Sequence, residues 1–391
     1  MLTSPAMPGS SWRLAVRRLL VAALVLGGEF AAFEAFLRWQ GGSEAAPAFQ
    51  QLFMPDDAIG YRLRPGQSVV FTTREFSTPI AINAEGVRDL EIPSKPAGER
   101  RIVVLGDSLV LAVQVPREQT FCARLQDRLN AAAPAGVRYR VINAGVQGYG
   151  PVEELLFYRR VASRFEADVV LVVTFVANDA VEAYDAAWRL DGARHPTVAA
   201  RDETERTVRR WTRRSMVLQV ARQRIEQLRD RAGATAAPSR PVASYLVAPP
   251  AFITDGIGVA TRALRTLVTD ARAAGARPAI ALMPARFQVD PAEYERLRSA
   301  TEPIAGPIRL DAATERFTAA VAPLGVPTVD LLPALRQAPH GQFFAETVHL
   351  TAAGHETVAA ALEAFLRREH LLDLPAATPP SPSPAATAAG P

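Results

Sequence analysis

Along this chain, short runs of β-branched and other apolar residues stop abruptly at small or polar residues, and most lead into segments with helical spacing of apolar positions. The first runs from Arg101 to Leu105, closes at Gly106-Asp107-Ser108-Leu109, and is followed by a helix-prone stretch from Phe121 to Leu129. Uninterrupted runs of this length predict strands buried on both faces. A second strand, Tyr139 to Ile142, ends at Asn143-Ala144-Gly145, and Gly148, Gly150 and Pro151 complete a loop before a helix from Val152 to Arg160. A third, Asp168 to Phe175, ends at Val176-Ala177-Asn178-Asp179. A fourth, Pro278 to Met283, follows a helix from Ile257 to Ala274; a fifth, Val326 to Asp330, follows helical sequence from Asp311 to Val321. The last helix runs from Glu356 to Arg368. Strands alternating with helices predict a parallel sheet flanked by helices. Their carboxyl ends share one edge, where open α/β sheets place their ligands, so Ser108, Gly145 and Asn178 can meet although far apart in sequence.

Three stretches break this pattern. Arg13, Arg17 and Arg18 precede an apolar stretch from Leu19 to Leu37, close to the ~20 residues of a membrane-spanning helix. Glu29 and Glu34 interrupt it, which keeps a cleaved signal sequence and a buried soluble helix as alternatives. No small-x-small site follows Leu19 to Gly28, and apolar character resumes at Phe30, Phe33, Phe36 and Trp39. An uncleaved inner-membrane anchor is therefore favoured, with the remainder of the chain on the periplasmic side by the positive-inside rule. Between Gln67 and Asn83, Val69 to Thr73 and Ile80 to Ile82 predict two short strands around a Ser77-Thr78-Pro79 turn, and Asn83 to Gly86 a further turn. From Trp188 to Pro250 an arginine-rich segment, helical over Glu203 to Arg231, reads as an insertion. The expected organisation is an anchor over 1–40, a β-rich preface and linker over 41–100, a main domain over 101–372 with the 188–250 insertion, and a disordered Pro/Ala-rich tail over 373–391.

Composition changes this picture little. With 49% hydrophobic residues in 391, the chain is globular. Lys95 is the only lysine, so the net charge of +4 reflects an arginine-rich composition, and no nucleic-acid partner is expected. A lone cysteine, Cys122, excludes an internal disulfide and any multi-cysteine metal site.

The candidate chemistry is acyl transfer, which needs a hydroxyl nucleophile, a histidine base, an acid to orient it, and oxyanion donors. Ser108 sits on the exposed strand-end turn. Of five histidines, His349 alone combines a position near that edge with an acid, Glu346, three residues before it. The backbone N–H groups of Ser108 and Gly145 and the Asn178 amide are candidate donors, each worth about 3 to 4 kcal/mol in the transition state. Asp107 and Asp179 read as turn-holding residues, Asp330 as a turn cap and His355 as a packed or helix-start residue. His195, His340 and His370 read as ordinary solvent-facing residues.

These blocks resemble the SGNH (GDSL) hydrolases. Gly106-Asp107-Ser108-Leu109 matches that family's first block, Asn143-Ala144-Gly145 the second, Val176-Ala177-Asn178-Asp179 the third and Glu346-Thr347-Val348-His349 the fifth. The resemblance spans Arg101 to Arg368 and implies a flavodoxin-like three-layer αβα sandwich, with Ser108 as nucleophile, His349 as base, and Ser108, Gly145 and Asn178 as oxyanion hole. It implies no metal or organic cofactor. Two departures stand out: Val176 replaces a glycine of the third block, and Glu346 the aspartate of the fifth. In layout the chain resembles anchored members related to alginate acetylation. That points to an acyl ester, an envelope polysaccharide among the candidates, as substrate. The alternatives are an O-acyltransferase built on the same residues and a non-catalytic, membrane-tethered glycan-binding protein.

Overall fold

The computed structural model of the chain describes residues 27–30, 49–191 and 240–373. The chain divides into two compact units, one of Ala45–Arg194 with Ala237–Pro391, the other of Met1–Glu44 with His195–Ala236. In the second unit only residues 27–30, a short helical piece, are described. The rest of the expected anchor, the arginine-rich helix over 203–231 and the tail from 374 lie outside the described residues. Among the described residues, no helix is long and apolar enough to cross a membrane.

The larger unit begins with two antiparallel hairpins. The first, β1 (Phe53–Asp56) with β2 (Gly60–Leu63), has no counterpart among the expected strands. Each strand has only four residues, too few for a periodicity, and Asp56 Oδ1 turns the chain by accepting from the N–H groups of Ala58 and Ile59. The second hairpin, β3 (Ser68–Thr72) with β4 (Ser77–Ala81), corrects the expected turn. Ser77, Thr78 and Pro79 lie in the strand, and the turn is Thr73 to Phe76, where Thr73 Oγ1 accepts from the N–H groups of Glu75 and Phe76. Proline is tolerated there because a two-stranded ribbon is all edge, and its missing N–H faces no partner.

The expected parallel sheet follows. Strands β5 (Glu99–Gly106), β6 (Arg138–Gly145), β7 (Val169–Phe175), β8 (Arg277–Met283) and β9 (Thr328–Asp330) lie in the order β6-β5-β7-β8-β9, all parallel. By position this is the 2-1-3-4-5 order of flavodoxin-like sheets, whose crevice opens beside the first strand, where the winding direction reverses. Here the crevice lies between the carboxyl ends of β5 and β7, and Ser108 and Asn178 flank it. Every residue of β7 is buried, as the unbroken Val-Val-Leu-Val-Val run requires.

Helix α1 (Ser108–Leu111) follows β5 directly, and α2 (Phe121–Ala131) returns the chain to β6. Between β6 and β7 comes α3 (Pro151–Arg160), and between β7 and β8 come α4 (Asp179–Ala186) and α5 (Ala251–Ala273). After β8, α6 (Pro291–Ala305) and α7 (Ala312–Val321) lead to β9, and α8 (Ala352–Arg368) closes the unit. Helix α2 packs on α8 in one layer, while α5 packs on α3, α4 and α7 in the other. Helix α6 was not expected from the sequence; it carries Pro303 in its interior and few fully buried positions, so it lacks a clear apolar stripe. The carboxyl-terminal end of the supposed 188–250 insertion belongs to this unit's core. Val242, Ala243, Tyr245 and Leu246 are buried, and the Tyr245 hydroxyl donates to Gln288 Oε1 at 2.9 Å.

The two ends of the sheet are treated differently. At the amino end, Asp168 Oδ2 accepts from Arg101 N–H (2.7 Å) and Lys95 Nζ (2.6 Å), and the buried Arg101 guanidinium pairs with Glu99 at 2.6 Å. At the carboxyl end, glycines let the Ser108 turn settle onto the sheet. A Cβ on Gly145 would lie 2.5 Å from Leu111 N and 2.6 Å from Val110 Cβ, and one on Gly106 2.3 Å from Val110 Cγ2. Only hydrogen fits at either position.

Arg88, from the preface, holds that turn from behind. Its buried guanidinium donates to the carbonyls of Leu111 (2.8 Å), Ala112 and Val115 (2.7 Å), where Ala112 takes a left-handed φ of 54°. Burial lowers its pKa to about 10, so it stays charged at neutral pH. Arg88→Ala leaves three buried carbonyls without their donor, and at 1.5 to 3 kcal/mol for a bond to a charged group the expected loss is about 3 kcal/mol or more. Urea unfolding would measure it. Arg88→Lys should recover little, because one ammonium cannot reproduce the fork.

Candidate active site

Ser108 opens α1 at the first turn, where backbone donors have no intrahelical partner. Asp107 caps this helix, its Oδ1 accepting from Leu109 N–H at 2.8 Å. The Ser108 side chain meets His349: Oγ and Nε2 are 2.9 Å apart, across 241 residues of sequence. His349 comes from a loop closed by Phe344 N–H donating to the His349 carbonyl (3.0 Å) and Thr351 N–H donating to the Gln342 carbonyl (2.9 Å). Burial lowers the His349 pKa to about 4, so the imidazole is neutral at pH 7 and can accept a proton. With Nε2 accepting from the Ser108 hydroxyl, the ring proton resides on Nδ1. Nδ1 is buried and, among the described residues, has no hydrogen-bond partner.

The structure does not bring Glu346 to that nitrogen. Its residue is exposed, and the interaction the structure gives it is through its backbone N–H, which donates to Glu75 Oε1 at 3.0 Å. Gly145 lies at the expected edge against α1, its N–H donating to Asn143 Oδ1 at 3.1 Å. Asn178 precedes α4; its Nδ2 donates to Glu182 Oε1 at 2.8 Å, and its buried Oδ1 has no hydrogen-bond partner among the described residues. Asp179 Oδ2 accepts from Phe175 N–H at 3.0 Å and Asp330 Oδ1 from Leu332 N–H at 2.9 Å, both turn-holding contacts. His355 is buried, stacks on Phe121 with centroids 5.7 Å apart, and accepts from Phe121 N–H through Nδ1. Its pKa falls to about 3, chiefly through burial.

Beneath the Ser108 turn lies a feature that sequence reasoning missed, a knot of buried carboxyl groups. Asp107, Glu153, Glu154 and Asp179 are buried, and Glu182 lies against them. Burial raises Asp107 to about 6, opposed by Leu109 N–H and the Asn178 amide, and Glu153 to about 7, opposed by Arg189. Glu154, Asp179 and Glu182 are pushed well above the usual range by burial and by each other's charge. Among the described residues, both oxygens of Glu154 and one each of Asp107, Glu153, Asp179 and Glu182 have no hydrogen-bond partner. Among the described residues no three acidic, histidine or cysteine side chains are arranged to hold a metal ion, so protons are what the group can share. The adjacent Glu153-Glu154 pair among apolar neighbours was the one hint in the sequence, but consecutive helical positions about 100° apart can both face solvent, so adjacency did not reveal the burial.

A hydroxyl and a neutral imidazole joined at the carboxyl edge of an open parallel sheet form the arrangement of an α/β hydrolase. The GDSL-like Lipase/Acylhydrolase family matches residues 104–357, and the chain belongs to that family. It is a hydrolase acting on ester bonds. Its structure is similar to that of TesA (TM-score 0.39, 15% identity, 69% of this chain and 99% of that one). It is similar also to LAE5, an alpha/beta hydrolase from the metagenome of Lake Arreo (0.39, 15%, 69% and 96%). Axe2, an acetylxylan esterase from Geobacillus stearothermophilus, is a third such structure (0.38, 13%, 69% and 94%). No curated protein matches the chain.

Proposed function

We propose that this protein is a serine esterase that removes an acyl group, acetyl foremost, from an envelope carbohydrate, using Ser108 as nucleophile, His349 as base and Glu346 as orienting acid. The reading rests on one observation, the 2.9 Å approach of Ser108 Oγ to His349 Nε2. Ser108 Oγ attacks the ester carbonyl while its proton passes to Nε2, giving a tetrahedral oxyanion and an imidazolium. The N–H groups of Ser108 and Gly145 and the Asn178 amide are the candidate donors for that oxygen, the last two turning to it from Asn143 Oδ1 and Glu182 Oε1. The imidazolium then protonates the departing alcohol oxygen as the C–O bond breaks, leaving an acyl-serine. Water, losing a proton to His349, attacks it and releases the acid and free Ser108.

The base needs help that burial alone does not give. A histidine held near pKa 4 is a weak proton acceptor, and a carboxylate at Nδ1 would raise its basicity and stabilise the imidazolium. Glu346 is assigned that task because it lies on the same short loop. The carbohydrate substrate follows from the chain's resemblance in layout to anchored members related to alginate acetylation.

Acetate release from a panel of acetylated polysaccharides, beside p-nitrophenyl esters of increasing chain length, tests the assignment. Glu346→Ala should lower kcat about 10- to 1000-fold and weaken the acidic limb of the pH profile. Undiminished kcat in that variant would remove Glu346 from the mechanism. Acetyl groups appearing on the glycan when an acyl donor is supplied, detected by mass spectrometry, would instead identify a transferase.

A further inference from the structure

The loop that presents His349 is gripped from outside the sheet. Its bridge between Phe343 and Leu350 and the Phe344 to His349 backbone bond fix its base. They leave its tip free to tilt about that base. The β3–β4 turn removes this freedom. Glu75 Oε1 accepts from two consecutive backbone donors, Ala345 N–H at 2.7 Å and Glu346 N–H at 3.0 Å, and the Phe76 ring lies 5.6 Å from that of Phe344. Arg286 holds the same stretch by donating to the carbonyls of Phe344 and Ala345. The turn is itself fixed, since Thr73 Oγ1 accepts from Glu75 N–H and Phe76 N–H at 3.2 Å each. Glu75 Oε2 is buried and, among the described residues, has no hydrogen-bond partner, a desolvation cost that a turn with no task beyond reversing the chain would not carry.

We propose that Glu75 is a positioning residue for His349: its carboxylate ties the preface to the backbone of the loop and so sets where the imidazole meets Ser108. It touches no reacting atom and acts through residues 345 and 346. The inference rests on reading Ser108 and His349 as the reacting pair. Displacements near 1 Å at such a pair can cost about 100-fold in rate.

The test compares the full-length chain with its Glu75→Ala, Glu75→Gln and Glu75→Asp variants, using p-nitrophenyl acetate turnover normalised to sites titrated by a fluorophosphonate. Normalisation counts only folded, reactive enzyme, so loss of fold does not register as loss of kcat. E75A should lower kcat per titrated site about 10- to 100-fold with KM changed less than about twofold. E75Q should recover most of it, because the amide oxygen can still accept both N–H groups. E75D, one methylene short, should resemble E75A and replaces it if E75A does not fold. E75A and E75D at wild-type kcat, or E75Q as poor as E75A, would overturn the proposal. Wild type that neither labels nor turns over ester would instead overturn the reading of Ser108 and His349.

Discussion

Ser108→Ala is expected to lower ester turnover at least ~10,000-fold and to abolish labelling by a fluorophosphonate probe, with the unfolding midpoint nearly unchanged. The hydroxyl is the only atom removed, and its contact in the structure is with His349. His349→Ala should cost a similar amount, and the double variant little more than either single one, because two members of one proton-transfer unit are not additive. Residual rate in both would report the oxyanion donors and substrate binding alone. Persistent labelling of S108A would place the nucleophile elsewhere.

The second large effect concerns stability and its dependence on pH. Asp107, Glu153, Glu154, Asp179 and Glu182 all have folded-state pKa values raised by burial. An acid with a raised folded pKa binds its proton more tightly in the native state. Stability is then fully present below the unfolded pKa near 4 and declines as pH rises toward the folded value. His349 and His355 act with the opposite sign, since their folded pKa values of about 4 and about 3 lie below the unfolded value near 6.5. Their protonation penalises the fold as pH drops below about 6.5, so the two sets oppose each other between about pH 4 and 6.5.

Above that window the carboxyl groups act alone. For each proton released on unfolding, stability falls about 1.4 kcal/mol per pH unit for as long as the folded protein keeps that proton. Thermal unfolding above that window should therefore show a midpoint falling with pH. Glu154→Gln, which removes one of these titrating groups in nearly the same shape, should raise the midpoint at pH 8 and flatten its slope. A wild-type midpoint constant from pH 6.5 to 8.5 would mean that the carboxyl groups do not retain their protons.

Much of the sheet was legible because a strand covered on both faces must be apolar throughout, and such runs stand out as β5, β7 and β8 do. Short edge elements left no such trace. The four-residue strands β1 and β2 carry no period, and Pro79 suggested a turn where the structure has an edge strand. At the site, Ser108 and His349 could be paired from sequence because each stands at a strand or loop end that the topology gathers on one rim. Side-chain contacts were not legible: Glu346 sits three residues from His349, yet among the described residues His349 Nδ1 has no hydrogen-bond partner. Contacts across the whole chain were equally hidden. Glu75 meets Ala345 and Glu346 over 270 and 271 residues, and Glu154 reveals its partners only when α3 is laid beside α1 and α4.

Glu75 and Arg286 grasp peptide groups rather than side chains when they hold the 344–349 loop. What they recognise is therefore indifferent to the side chains at positions 345 and 348, proline at 345 excepted because it has no N–H to donate, and Val348 is half exposed beside His349. A mutational library confined to those two positions, with Thr347 kept because its Oγ1 accepts from His349 N–H, could retune which esters are admitted while leaving Ser108 and His349 where they stand.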